Sequence, residues 1–236
     1  MLVLVLDSAT PAVTAALGRV EPAAGDRPPT IDGNPWSATI LARRATVDAR
    51  AHGERLAPQI DAVLGEAGAK PGDLGAIVAG IGPGPFTGLR VGLVTATALG
   101  DALGIPTYPV CTLDAFAVGR PGRVLVATDA RRREIYWACY ADGVRLAGPE
   151  VSKPVEVAGR AAGLGARQAV GDGALRYADQ LDLPVLAEPR FPQPAAMLSL
   201  AVRRVGTGAP GEPLIPLYLR RPDTTEPVAR KRAAPQ

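Results

Sequence analysis

Three places in the sequence carry residues able to do chemistry. Asp7, Ser8 and Thr10 follow an apolar run, "LVLVL", and sit in a turn-forming stretch, "DSATP". A carboxylate with hydroxyls in a turn after a strand can approach a phosphate through magnesium or water, with the turn N–H groups meeting the phosphate oxygens. The same residues can equally well satisfy backbone donors of the turn. The second place is "GIGPGPFTGLRVG", Gly80 to Gly92, which follows the apolar "LGAIVA". A P-loop needs Lys then Ser or Thr after its glycines, whereas Leu89 and Arg90 follow Gly88. A dinucleotide fingerprint starting at Gly80 and Gly82 needs a third glycine where Pro85 stands. Both nucleotide templates fail. The third is His52, the single histidine of the chain, which by itself builds neither a two-histidine metal site nor a catalytic triad. Near a helix start it reads as a hydrogen-bonded structural residue.

The elements that must position these residues follow from periodicity. "LVLVL" is a fully buried strand; Val13 to Gly18 and Trp36 to Arg44 suit two more. The connection from Glu21 to Pro35 is polar and rich in Pro and Gly. A helix is expected around Arg50 to Ala67, because His52, Leu56, Ile60, Val63, Leu64 and Ala67 share one face. Pro58 requires it to start near Leu56 or to kink. "LGAIVAGI" is a fourth strand, Gly88 to Leu103 a second helix capped by Thr87, and "IPTYPV" a fifth strand. Strands linked by helices imply a layered α/β domain. The pattern strand, Asp, turn, strand then recurs in "RVLVATDARRREIYWACYADG", with Asp129 in the place of Asp7, which suggests an internal duplication. "PAAMLSLAVRRVGTG" reads as a later helix, and the stretch after Arg221 as a fraying tail.

On the second helix, Gly88, Gly92, Ala96 and Gly100 are four apart and form one ridge, flanked by Leu89, Leu93 and Leu103. Glycine inside a helix costs about 1 kcal/mol relative to alanine, so such a ridge implies a close backbone neighbour. The neighbour is either this domain's own sheet or a helix of a partner; the second is the sharper expectation.

Bulk properties set the frame. The chain has 236 residues, is 47% hydrophobic and carries a net charge of +3, too small to argue for nucleic acid alone. Lys70, Lys153 and Lys231 are its only lysines, a mark of a GC-rich genome. The arginine clusters 131–133, 203–204, 220–221 and 230–232 (the last with Lys231) read as solvated surface. Cys111 and Cys139 make no zinc spacing or disulfide framework. The apolar start is too short for a signal peptide or a span, so a cytoplasmic protein is expected.

The strand-Asp-turn start is similar to the phosphate site of the actin, hexokinase and Hsp70 superfamily. "LVLDSAT", "HGERLAPQI", "GIGPGPFTGLRVG", "TDARRREIYWACY" and "PLYLR" together resemble the bacterial TsaB (YeaZ) family, from Leu2 to Arg220. The resemblance implies a two-lobed actin-like (ASKHA) α/β fold with a duplicated strand-strand-strand-helix-strand-helix-strand plan and a degenerate second lobe. The lobes are expected at 1–110 and 111–220, with a tail at 221–236. It implies a non-catalytic scaffold for adding a threonylcarbamoyl group to the adenosine beside the anticodon, in tRNAs that read codons beginning with A. The partners implied are TsaD, which holds the metal and does the chemistry, the ATPase TsaE, and tRNA through the complex. Without TsaD the same surface is expected to form homodimers. ATP and metal are assigned to the partners, with Asp7, Ser8 and Thr10 a vestigial phosphate loop. His52, Leu56, Ile60, Gly88, Leu89, Gly92, Leu93, Ala96 and Gly100 are the expected partner interface. The alternative is a small-molecule kinase or ATPase using the Asp7 loop. It needs a second phosphate loop with Gly and Ser or Thr after Asp129, where this chain has Ala130 and three arginines. A peptidase is a third reading and lacks a visible metal or activated nucleophile.

Overall fold

The computed structural model describes residues 1–23, 34–49 and 51–220. Most of the connection between the second and third strands, Arg50 and the tail after residue 220 lie outside the described residues.

The described residues form a mixed α/β structure with two sheets. The first contains β1 (Leu2–Asp7), β2 (Ala12–Pro22), β3 (Trp36–Val47), β4 (Leu74–Gly80) and β5 (Thr107–Val110), in the order β3-β2-β1-β4-β5. β1, β2 and β3 pair antiparallel, while β4 and β5 join parallel to β1. α1 (His52–Glu66) and α2 (Phe86–Leu103) are the crossovers. β1 is apolar from Leu2 to Leu6 because both of its faces are covered. Leu4 and Leu6 pack under α1 and α2, whereas Val3 and Val5 face the opposite side.

The second sheet contains β6 (Arg123–Asp129), β7 (Ile135–Ala141), β8 (Val144–Ser152) and β9 (Gln168–Val170), in the order β8-β7-β6-β9. α4 (Pro154–Gly163) links β8 to β9, and α5 (Asp172–Arg176) and α6 (Ala178–Leu181) follow. The duplicated order therefore recurs, with the fifth strand reduced to one parallel bridge between Ala169 and Val185. α3 (Asp114–Ala117) lies between the sheets, where Phe116 packs with Tyr136 and Tyr140.

Three expectations change. α1 starts at His52 and continues through Pro58, which stands on its exposed side. α2 starts at Phe86 after Pro85, so Thr87 lies in its first turn and does not cap it. The boundary at 110/111 fails for the later helix, α7 (Pro194–Gly206). Met197, Leu198, Ala201, Val202 and Val205 of α7 fill the far face of the first sheet against Val3, Val5, Ala76 and Val78. That apolar face needs a cover, and α7 is the element that supplies it.

Candidate functional site between the lobes

β1 ends at Asp7, and the turn after it runs beneath the start of α2. Asp7 is buried, beside the end of β4. Its Oδ1 accepts from the Ala9 N–H at 3.1 Å and its Oδ2 from the Thr112 hydroxyl at 2.8 Å. A side chain at Gly80 would collide with this carboxyl, so the glycine there makes room for Asp7. Burial pushes the carboxyl up to about 6, against the opposing hydrogen bonds from Thr112 and Ala9.

Ser8 is engaged as fully. Its Oγ donates to the Gly88 carbonyl at 2.8 Å and accepts from the Gly92 N–H at 2.9 Å. These are the two groups, four residues apart, that a regular α-helix joins directly. The hydroxyl thus bridges the ladder of α2 itself. Thr10 accepts from the Ala12 N–H at 3.3 Å. His52 Nε2 lies 2.9 Å from the Thr10 carbonyl, which can only accept, so that nitrogen carries the proton. His52 and Ser8 both flank Gly88, but Ser8 Oγ is bonded to α2 and His52 Nε2 to the Thr10 carbonyl, so they make no nucleophile–base pair.

The glycine ridge faces this same turn. A Cβ at Gly88 would meet the Ser8 carbonyl at 3.0 Å and His52 Nε2 at 3.2 Å. One at Gly92 would collide with Ser8 Oγ, and one at Gly100 would meet Thr107 at 2.8 Å. Leu56, Ile60, Leu89, Leu93 and Ala96 are buried in the core under the sheet. This corrects the expected interface: His52, Leu56, Ile60, Gly88, Leu89, Gly92, Leu93, Ala96 and Gly100 point into the chain's own first lobe. A close backbone neighbour does exist, and it is the Asp7–Thr10 turn. Val94 on the opposite side of α2 is 65% exposed.

A cavity of about 370 Å³ opens above the turn, lined by Ser8, Thr10, His52, Phe86, Thr87 and, from the second lobe, Arg131. Arg131 belongs to the turn between β6 and β7. Arg131, Arg132 and Arg133 have φ of 61°, 52° and 62°, the left-handed region, at a cost of roughly 1–2 kcal/mol for each residue with a Cβ. The turn is closed by Ala130 N–H to the Glu134 carbonyl at 3.0 Å and Glu134 N–H to the Arg131 carbonyl at 2.9 Å. Its arginines occupy the turn that corresponds to the Asp7–Thr10 turn of the first lobe. Asp129, the counterpart of Asp7, is buried and its Oδ2 pairs with Arg176 at 3.2 Å and Arg131 at 3.5 Å. Asp172, close by, is pushed up to about 6, first by burial and then by the charge of Asp129, against lowering backbone hydrogen bonds.

Sequence reasoning missed Thr112, which holds Asp7 from 105 residues away and also accepts from the Gly82 N–H. It also missed the group formed by Phe86, Arg90 and Tyr218. The Arg90 guanidinium lies 3.9 Å from the Phe86 ring centre, and its Nε donates to the Tyr218 hydroxyl at 3.1 Å. No local pattern marks such pairs. Cys111 and Cys139 are buried, and burial pushes both thiols up to about 11, away from nucleophilic use. Among the described residues no group of three or more metal-binding side chains gathers, and no helix is long and apolar enough to cross a membrane.

Residues 39–198 match the family model described as "TsaD: tRNA N6-adenosine threonylcarbamoyltransferase". An uncharacterized protein of Mycobacterium tuberculosis is 46% identical over 227 residues, covering 96% of this chain and 95% of that one. The "tRNA threonylcarbamoyladenosine biosynthesis protein TsaB" of Escherichia coli is 32% identical over 145 residues, 59% of this chain and 55% of that one. The solved structure "YeaZ from Pseudomonas aeruginosa" aligns with a TM-score of 0.69 at 27% identity, over 92% of this chain and 99% of that one. A buried, self-satisfied Asp7 turn and a matching two-sheet frame thus accompany kinship to proteins of one tRNA modification, and the chain belongs to the TsaB (YeaZ) family, within the wider family whose model bears the TsaD description.

Proposed function

We propose that this chain is a non-catalytic scaffold subunit in the synthesis of N6-threonylcarbamoyladenosine, beside the anticodon of tRNAs that read codons beginning with A. The observation that carries the reading is the Ser8 hydroxyl, spent on the Gly88 carbonyl and the Gly92 N–H where a phosphate loop would need it free. Asp7, sealed under Thr112 and Gly80, supports it. So does the arginine turn in place of the second loop. The fold is read as a two-lobed actin-like (ASKHA) frame that has kept its plan and lost its nucleotide chemistry. The transferase activity in the name of the matching family model is not assigned here, because His52, the chain's single histidine, is tied to Thr10. ATP and metal are assigned to the partner subunits, and the chain to the cytoplasm.

The partner is read as the TsaD-type transferase, with TsaE joining the assembly and a homodimer forming in the absence of TsaD. Since the inner face of α2 is buried, docking falls to the outer faces of α1 and α2, where Ala57, Ala62, Val94, Thr97 and Ala98 are exposed. Their small side chains suit close approach by a second pair of helices. Co-purification with TsaD tests this. The wild-type chain is expected to be retained and Val94→Arg to be lost, with no change in its thermal midpoint. Retention of Val94→Arg at wild-type affinity, or no retention of the wild type, overturns the interface or the scaffold reading respectively.

A further inference from the structure

The arginine turn leaves more positive charge on the rim of the cleft than the chain itself neutralises. Arg131, Arg132 and Arg133 are exposed at the β6–β7 turn, and Arg131 reaches the mouth of the cavity beside Phe86 and Thr87. Across the mouth, Arg90 stacks on Phe86, whose ring centre is 5.0 Å from that of Tyr218. Arg220 donates to the Ala130 carbonyl at 3.1 Å, which draws the segment bearing Tyr218 to the same turn. Against these, Asp129 is shared between Arg131 and Arg176, and Glu134 is paired with Arg220. Arg90 and Arg133 are exposed and meet no carboxylate among the described ion pairs.

Guanidinium groups beside aromatic rings are features that hold a nucleic acid strand. The cations take the phosphates and the rings stack with bases. An acidic protein surface would use the charges without calling on the Phe86–Tyr218 ring pair. We propose that the rim formed by Arg90, Arg131, Arg132 and Arg133 with Phe86 and Tyr218 binds tRNA directly, holding its phosphate backbone across the mouth of the cleft. This rests on the tRNA-modification reading above. The three left-handed residues then have a reason: the turn sets three arginines side by side on one short loop at the rim.

The test uses the full chain and an in vitro transcribed, unmodified tRNA, with anisotropy read across a salt series. Arg133→Glu is expected to weaken binding about 5-fold or more at low salt, and to lower the slope of log affinity against log salt by about 1. Arg131, Arg132 and Arg133 all changed to Gln should weaken it further, and the same three changed to Lys should restore most of it. Arg203→Glu, the same charge change on α7 at the far face of the first sheet, should alter binding less than 2-fold. An equal loss in Arg203→Glu overturns the proposal, since bulk charge would then explain the binding. Unchanged tRNA affinity in both the Arg133→Glu and the triple Gln variants overturns it too. If those variants instead lose TsaD while keeping tRNA, the rim is a protein-docking surface and the proposal is wrong. Failure of the wild-type chain to co-purify with TsaD would strike the scaffold reading, whereas failure of the arginine variants to lose tRNA strikes this one alone.

Discussion

Asp7 keeps its carboxylate away from water, and that placement makes folding depend on pH. The unperturbed carboxyl titrates near 3.8 and the folded one near 6. Below pH 4 both states hold the proton, and the full stability is present. Between pH 4 and 6 the unfolded chain releases its proton first, so stability falls as pH rises. Above 6 the loss is complete, about 3 kcal/mol at 1.36 kcal/mol per unit. Asp172 acts in the same direction. In Asp7→Asn the Asp7 share disappears. The drop in unfolding free energy between pH 4.5 and pH 7.5, measured with urea, should therefore be smaller than in wild type by about 2 kcal/mol. An identical drop in both proteins would show that Asp7 is not buried as described. The sequence marked Asp7, Ser8 and Thr10 by type and by their place after a strand. It could not show what they bond to, because their partners Thr112, Gly88 and Gly92 lie 80 to 105 residues away.

At the scale of elements, α2 shows how a correct pattern led to the wrong neighbour. The four-residue ridge was legible, and it does meet a backbone closely. Its neighbour is the β1–β2 turn, since α2 crosses directly over the end of β1 in this parallel order. Alanine normally favours a helix over glycine by about 1 kcal/mol. At Gly92 the sign should reverse. The new methyl would displace Ser8 Oγ and strip hydrogen bonds from Gly88 and Gly92, so overpacking and unsatisfied groups together cost about 2–4 kcal/mol. At Gly65, near the end of α1, nothing stands within 4 Å of the new carbon. Gly65→Ala should stabilise by up to about 1 kcal/mol. Chemical denaturation of the two variants side by side checks the contrast, and two changes of the same sign would refute the close approach.

For the whole molecule, the first lobe is complete only when α7 and the segment just after it return to it. α7 covers the back of the first sheet, and the segment beyond it is held there by Glu212 N–H to the Thr107 carbonyl at 2.8 Å and Leu217 N–H to the Ile81 carbonyl at 2.8 Å. Leu217 and Leu219 meanwhile pack with the second lobe, which ties the two together. Leu198, fully buried at the centre of this back layer, lies against Gly18 of β2. Leu198→Ala should cost about 2–5 kcal/mol and lower the unfolding midpoint of the whole chain in a single transition. A separate early transition confined to the second half would mean that α7 serves that half instead.

The sequence by itself determined the five strands of the first sheet and the first two of the second, the two main crossover helices, the recurrence of the plan after Asp129 and the failure of both nucleotide-loop templates, while β8 and β9 were not legible in it. These are local properties: alternation and length for strands, spacing for helices, and fixed residue types for phosphate loops. Only the tertiary structure decided which way the glycine ridge faces, that α7 belongs to the first sheet, and that the Asp7 turn is filled by its own chain. Each depends on contacts between residues far apart in sequence. An amphipathic helix specifies that it must bury a face, and leaves open which of several apolar surfaces will receive it.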